Sequence, residues 1–117
     1  MKNFEDLIVF QKSMDLADAV YDATTAWPSS ERFGLTTQIQ RASVSIFPNI
    51  AEGQGRNGPK EFVHFLSLSY GSLMEVRAQL LFAKRRKYLT ESSAEPLLQL
   101  AVVVAKLLNA LMRSLSR

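Results

Sequence analysis

The sequence predicts an all-α protein, an antiparallel four-helix bundle in up-down-up-down order, on three observations. Apolar residues recur at gaps of three and four along almost the whole chain, the period of one helix face. No stretch alternates with period two for long enough to make a strand. The connections between the periodic stretches are short, which makes consecutive helices neighbours of opposite direction. At 117 residues and 13.1 kDa the chain holds one domain, too small for two ordinary cores.

Helix one is expected over residues 4–26, capped by Asn3 or Asp6, with Phe10, Met14, Ala17, Tyr21 and Thr24 on its core face. Trp27-Pro28 ends it, because the residue before proline is pushed out of the helical region. Helix two is expected over 36–52 with Ile39, Ala42, Ile46 and Asn49 facing inward, Pro48 kinking its last turn, and Gly53 closing it in a left-handed conformation. Gly58-Pro59 opens helix three, expected over 59–87, where a first-turn proline gives up only an N–H without a helical partner. Its seam is Phe62, Leu66, Ser69, Leu73, Val76, Leu80 and Ala83. Helix four, over 93–116, is capped by Thr90 or Ser93 and holds Pro96 in or near its first turn. Ala42, Ser43 and Ser45 fall opposite Ser69, Gly71 and Ser72, so Gly71 is expected to permit close helix approach.

Helix four has more apolar surface than three neighbours need. One line runs through Leu97, Leu100, Val104, Leu107 and Leu111, and a second through Leu98, Ala101, Ala105, Leu108, Met112 and Leu115. Helix three likewise carries Leu68, Met74, Leu81 and Phe82 off its seam. Full burial of each large side chain stabilises by about 1.5–3 kcal/mol, so a second apolar line left in water invites association. A homo-oligomer is expected, with Leu68, Met74, Leu81, Phe82, Leu98, Leu108, Met112 and Leu115 as its interface candidates.

Composition excludes several functions. An apolar share of 47% rules out intrinsic disorder. The chain has no cysteine, hence no disulfide, thiolate metal site or cysteine nucleophile. No run approaches 18 uncharged apolar residues, and the start Met1-Lys2-Asn3-Phe4-Glu5-Asp6 is acidic where a secretory leader is basic, so a cytoplasmic protein without a membrane span is expected. Residues 1–31 hold two bases against six acids, a net −4, while residues 32–117 hold twelve bases against five acids, a net +7. Such polarity suits a polyanion or a complementary second subunit.

Three motifs bear on chemistry. Gly53-Gln54-Gly55-Arg56-Asn57-Gly58 has the G-x-G-x-x-G spacing, but a helix precedes it where a dinucleotide fold needs a strand. What remains is a helix start beside Arg56 and Lys60 that offers N–H groups to one phosphate. Glu61-Phe62-Val63-His64 has the Glu-x-x-His spacing of di-iron bundles, yet His64 is the only histidine, so neither a metal site nor a Ser-His-Asp triad is expected. No cofactor and no enzymatic activity are expected. Lys84-Arg85-Arg86-Lys87 is the densest charge run. It either complements the negative end of helix three or, exceeding that need, binds phosphates. A module that binds only proteins, through the apolar line or acidic helix one, is the alternative.

The stretches Phe4–Lys12, Phe33–Ala42, Ser45–Gly53, Lys60-Glu61-Phe62 and Gly71–Glu75 resemble the 23S rRNA intervening-sequence protein family, most specifically in Asn49-Ile50-Ala51-Glu52-Gly53. The resemblance implies a four-helix bundle assembling into a ring, pentameric where such proteins have been seen, with no associated enzymatic activity. It adds Arg41 to the candidate nucleic-acid-binding residues Arg56, Lys60, Lys84, Arg85, Arg86 and Lys87, with rRNA or another nucleic acid as partner. A related branch serves diversity-generating retroelements and binds a reverse transcriptase. This chain departs from the family pattern at Gln40, where a second arginine is frequent, and at Pro48, one position late. Its net charge of +3 is also low for the strongly basic retroelement branch.

Overall fold

The computed structural model describes residues 3–117. It is all-α, with helices α1 (Ile8–Thr24), α2 (Leu35–Gln54), α3 (Pro59–Arg85) and α4 (Glu91–Leu115), and no strand among the described residues. Short 3-10 turns at Phe4–Asp6 and Ser29–Glu31 precede α1 and α2. Around the bundle, α1 packs on α2 and α4, and α3 packs on the same two helices.

The caps show why the helices begin where they do. Asn3 accepts a hydrogen bond from the Glu5 N–H, but it caps the 3-10 turn; Leu7 is extended (φ −76°, ψ 125°) and divides the expected first helix. Pro59 takes the first position of α3 as expected, behind Gly58 at φ 92°. Thr90 and Ser93 both serve α4, each side chain bonded to the other's backbone N–H. Pro96 falls in the second turn, inside α4.

Large apolar side chains are fully buried in one core, among them Leu16, Val20, Ile39, Ile46, Ile50, Leu66, Leu73, Val76 and Leu80. The α1 face is turned from the expected one. Val9, Ser13, Leu16 and Val20 join Phe10, Ala17 and Thr24 inside, while Met14 and Tyr21 lie outside. The buried Ser13 hydroxyl is satisfied by donating to the Val9 carbonyl (2.7 Å), which lets a serine occupy a core position.

Named contacts set the α2–α3 register. Ser45 Oγ and Ser72 Oγ are 2.6 Å apart, and buried Ser69 donates to the Ile46 carbonyl (2.7 Å). Gly53 lies against Phe62 and Phe65. Rising α2 numbers meet falling α3 numbers, so this pair is antiparallel. The expected role of Gly53 is corrected: it is helical and buried within α2, and its missing side chain is what lets α3 approach. Gly71 is corrected in the opposite sense, since a Cβ there would meet nothing within 4 Å.

The α4 expectation also changes. Its buried residues are Ala94, Leu97, Ala101, Val104 and Leu108, a line taking members from both apolar lines read in the sequence. Leu108 has no exposed surface and is a core residue, not an interface candidate. Leu98, Met112 and Leu115 stay half-buried. By length and composition α4 is apolar enough to cross a bilayer, since an 18-residue stretch of it has a mean hydropathy of 1.5, with isolated charges such as Lys106 interrupting but not offsetting its apolar residues. Only 22% of that stretch is buried inside the bundle. Its surplus is therefore real but spread over two flanks.

Candidate nucleic-acid interface

The seven basic candidates do not share one surface. Arg56 and Lys60 lie at the start of α3, and Lys84–Lys87 at its end. Twenty-four helical residues separate Lys60 from Lys84, about 36 Å at 1.5 Å per residue. Arg41 is exposed on α2, six residues or about 9 Å from the α2 end that lies beside Lys84–Lys87.

The two ends differ electrically. Arg56 is ion-paired to Glu52 (2.7 Å) and sits 4.9 Å from the Phe65 ring centre, so its guanidinium is engaged on both counts. Lys60 has no carboxylate within 4.0 Å among the described residues, but Glu52 and Glu61 match Arg56 and Lys60 in number. That end is balanced. At the other end Lys84 pairs with Glu91 (2.9 Å) and ties α3 to the start of α4. Among the described residues, no carboxylate lies within 4.0 Å of the charged groups of Arg32, Arg85, Arg86 or Lys87. Excess positive charge therefore collects at the α3 C-terminal end.

The turn that presents these bases has a defined geometry. The Lys87 N–H donates to the Lys84 carbonyl (3.0 Å) and the Tyr88 N–H to that of Ala83 (2.9 Å), the paired bonds of a Schellman cap. In that cap the residue after the C-cap is left-handed, and Lys87 has φ 67°, the only positive φ outside glycine among the described residues. Glycine takes this conformation without the Cβ penalty. Lys87→Gly is expected to stabilise the fold by about 1 kcal/mol in urea unfolding. The lysine therefore occupies this position against local preference.

The loop before α2 is fastened to this turn. The Glu31 carboxylate accepts from the Leu35 N–H (3.2 Å) and from the Tyr88 hydroxyl (2.9 Å), bridging the α1–α2 and α3–α4 connections. Trp27 is buried beside Tyr88, ring centres 5.8 Å apart, and the Arg86 guanidinium lies 5.8 Å from the Tyr88 ring centre. The Leu35 N–H bond, then the Tyr88 bond and the nearby Arg86 charge, hold the Glu31 pKa below its ordinary value of 4.5. A carboxylate depressed on folding stabilises above its unfolded pKa, and that contribution disappears as pH falls through the folded one. Stability is expected to drop below about pH 4.5. Glu31→Gln should be less stable at pH 7 and lose less over this acid range in urea titrations.

The bridge also brings in two residues that the sequence reading passed over. Arg32 and Phe33 follow Glu31 directly, and Phe33 is 88% exposed with the Arg32 guanidinium 5.5 Å from its ring centre. The adjacent Arg-Phe pair was visible in the chain, but not its position beside residues 84–87.

The apolar candidates divide as well. Leu68, Leu81 and Phe82 are about half exposed, and Met74 is half-buried. At 100° per residue Leu68 and Phe82 fall on one flank of α3, and Met74 and Leu81 roughly 110° away on another. An apolar groove of about 320 Å³, lined by Met14, Ala17, Tyr21, Val44 and Phe47 with Asp18, opens between α1 and α2. No group of three or more metal-ligating side chains occurs among the described residues.

Among curated proteins none matches this chain. A crystal structure of a protein of unknown function from the S23 ribosomal protein family of Bacteroides thetaiotaomicron VPI-5482 superimposes with a TM-score of 0.82 at 22% identity, over 91% of this chain and 96% of that one. At that identity the likeness speaks for the fold alone. The family model described as 23S rRNA-intervening sequence protein matches residues 5–110. With that match covering nearly all four helices, the chain belongs to the 23S rRNA-intervening sequence protein family.

Proposed function

We propose that the chain is a non-catalytic, cytoplasmic scaffold that binds the phosphate backbone of RNA or DNA through the α3 C-terminal end. In this reading the helices alternate up-down-up-down and copies assemble into a homo-oligomeric ring, pentameric as the family resemblance implies, which repeats the basic end around a rim. The carrying observation is the gathering of Arg32, Arg85, Arg86 and Lys87 at one end without ion-pair partners among the described residues. Arg41 extends this surface, while Arg56 and Lys60 drop out of it.

Two measurements test the reading. A labelled rRNA fragment titrated at several salt concentrations should bind with a log–log slope of about −0.7 per phosphate contacted on single strands, or about −0.9 on duplex DNA. A variant with Arg85, Arg86 and Lys87 all changed to glutamine should bind more weakly with a shallower slope; equal affinity rejects the assignment. Light scattering after size exclusion should give a multiple of 13.1 kDa, and a monomer at micromolar concentration rejects the ring. The second reading, a module for a protein partner, rests on the Met14–Phe47 groove along acidic α1. A partner retained after nuclease treatment would favour it.

A further inference from the structure

We propose that Phe33 is a base-stacking platform, so that the basic end takes single-stranded nucleic acid with an unpaired base on this ring. The inference rests on the phosphate-binding reading and adds to it what kind of strand is bound.

Exposure is the first observation. Phe33 is 88% exposed, whereas the other large exposed apolar residues among those described reach at most 61%. A phenyl ring left this open forgoes its burial, and it does so on a loop that is fastened in place. Glu31, two residues before it, is bonded to Leu35 two residues after it and to Tyr88 across the bundle end. The ring is thus presented by a clamped turn between two helices.

Its surroundings are cationic. The Arg32 guanidinium covers one side of the ring at 5.5 Å and leaves the other available. A base on that open face would stack on a ring already backed by positive charge. Arg32 also lines a groove of about 240 Å³, together with Thr24, Thr25, Ser29 and Thr36, the apolar Trp27 and Pro28, and no carboxylate. The Thr24 and Thr25 hydroxyls already donate to the Tyr21 and Asp22 carbonyls, which leaves the Ser29 and Thr36 hydroxyls and the Arg32 guanidinium, without an acid, to suit a phosphate. Arg85, Arg86 and Lys87 continue the positive surface across the Glu31–Tyr88 bridge.

Duplex nucleic acid keeps its base faces stacked inside and offers such a ring nothing. An unpaired strand offers one base face per nucleotide, whatever its sequence. Aromatic ring, phosphate groove and basic turn together therefore select for strand state and not for base identity.

The test compares wild type, Phe33→Ala, Phe33→Trp and the Arg85/Arg86/Lys87 triple glutamine variant. Each is titrated by fluorescence anisotropy with a labelled 12-nucleotide oligo-A in RNA and DNA form, and with a blunt 12-base-pair duplex. Phe33→Ala should weaken single-strand binding by about 5- to 150-fold, the loss of one stacked base, with an unchanged salt slope and unchanged duplex affinity. Phe33→Trp should restore it, and the tighter of the RNA and DNA strands names the ligand. Wild-type affinity in Phe33→Ala, alongside lost binding in the triple variant, overturns the platform and leaves the phosphate reading standing. A smaller particle mass for Phe33→Ala, or equal losses on single strand and duplex, also overturns it by making Phe33 a subunit contact or a general one. If wild type binds none of the three probes at low salt, both readings fall.

Discussion

Leu108→Ala is expected to destabilise the fold by about 2–5 kcal/mol, the range for deleting a fully buried leucine side chain. Leu108 has no exposed surface and belongs to the same α4 line as Leu97, Ala101 and Val104, facing the shared core. The cavity would open where α4 meets its neighbours, and alanine elsewhere on that line leaves no nearby bulk to fill it. Leu98→Ala, on a half-buried flank, should cost less than half as much. Urea unfolding at one fixed protein concentration reads both. If Leu108→Ala instead left the midpoint unchanged and altered only the particle mass, Leu108 would be a surface contact and its core placement would be wrong.

That pair of substitutions shows what was legible in the sequence and what was not. Helix number was legible, and the starts of α3 and α4 are marked by Pro59 and by Thr90 with Ser93, local devices whose physics needs no tertiary partner. The facing of α4 was not legible, for a physical reason. Leucine, valine or alanine occupies most of its positions, so lines starting at Leu97 and at Leu98 read equally well. The bundle takes the line between them, and the choice is made by what α1 and α3 present, which periodicity does not encode. The same holds for α1, where Met14 and Tyr21 fit the period but Leu16 and Val20 fill the core.

The site was partly legible. Lys84–Lys87 announces itself as a run, and helix length alone separates it from Arg56 and Lys60. Arg32 and Phe33 come from a connection more than fifty residues earlier, joined to the run by the bond between the Glu31 carboxylate and the Tyr88 hydroxyl. A contact at that separation is a property of the fold. The surplus apolar surface was legible in amount, with only 22% of the apolar α4 stretch buried inside the bundle, but not in place.

Glycine gives the sharpest contrast between local propensity and packing. Both Gly53 and Gly71 are helical, and in an isolated helix each would stabilise by roughly 1 kcal/mol on change to alanine. Gly71→Ala should deliver that gain, since its Cβ would meet nothing within 4 Å. Gly53→Ala should reverse it. Its Cβ would lie 2.6 Å from the Phe65 Cβ and 3.1 Å from a Phe62 ring carbon. A Cβ is fixed to its own backbone and cannot rotate away, so relief requires α2 and α3 to move apart. Separation stretches the Ser69–Ile46 and Ser45–Ser72 bonds further along the same seam, at 2.7 and 2.6 Å. Overpacking of this kind costs about 1–3 kcal/mol, occasionally more, and here outweighs the propensity gain of roughly 1 kcal/mol because the clash is with a backbone-fixed Cβ. Thermal unfolding of the two variants should therefore move the midpoint in opposite directions from wild type. A stabilised Gly53→Ala would mean that the α2–α3 seam has slack, and the close approach assigned to Gly53 would be refuted.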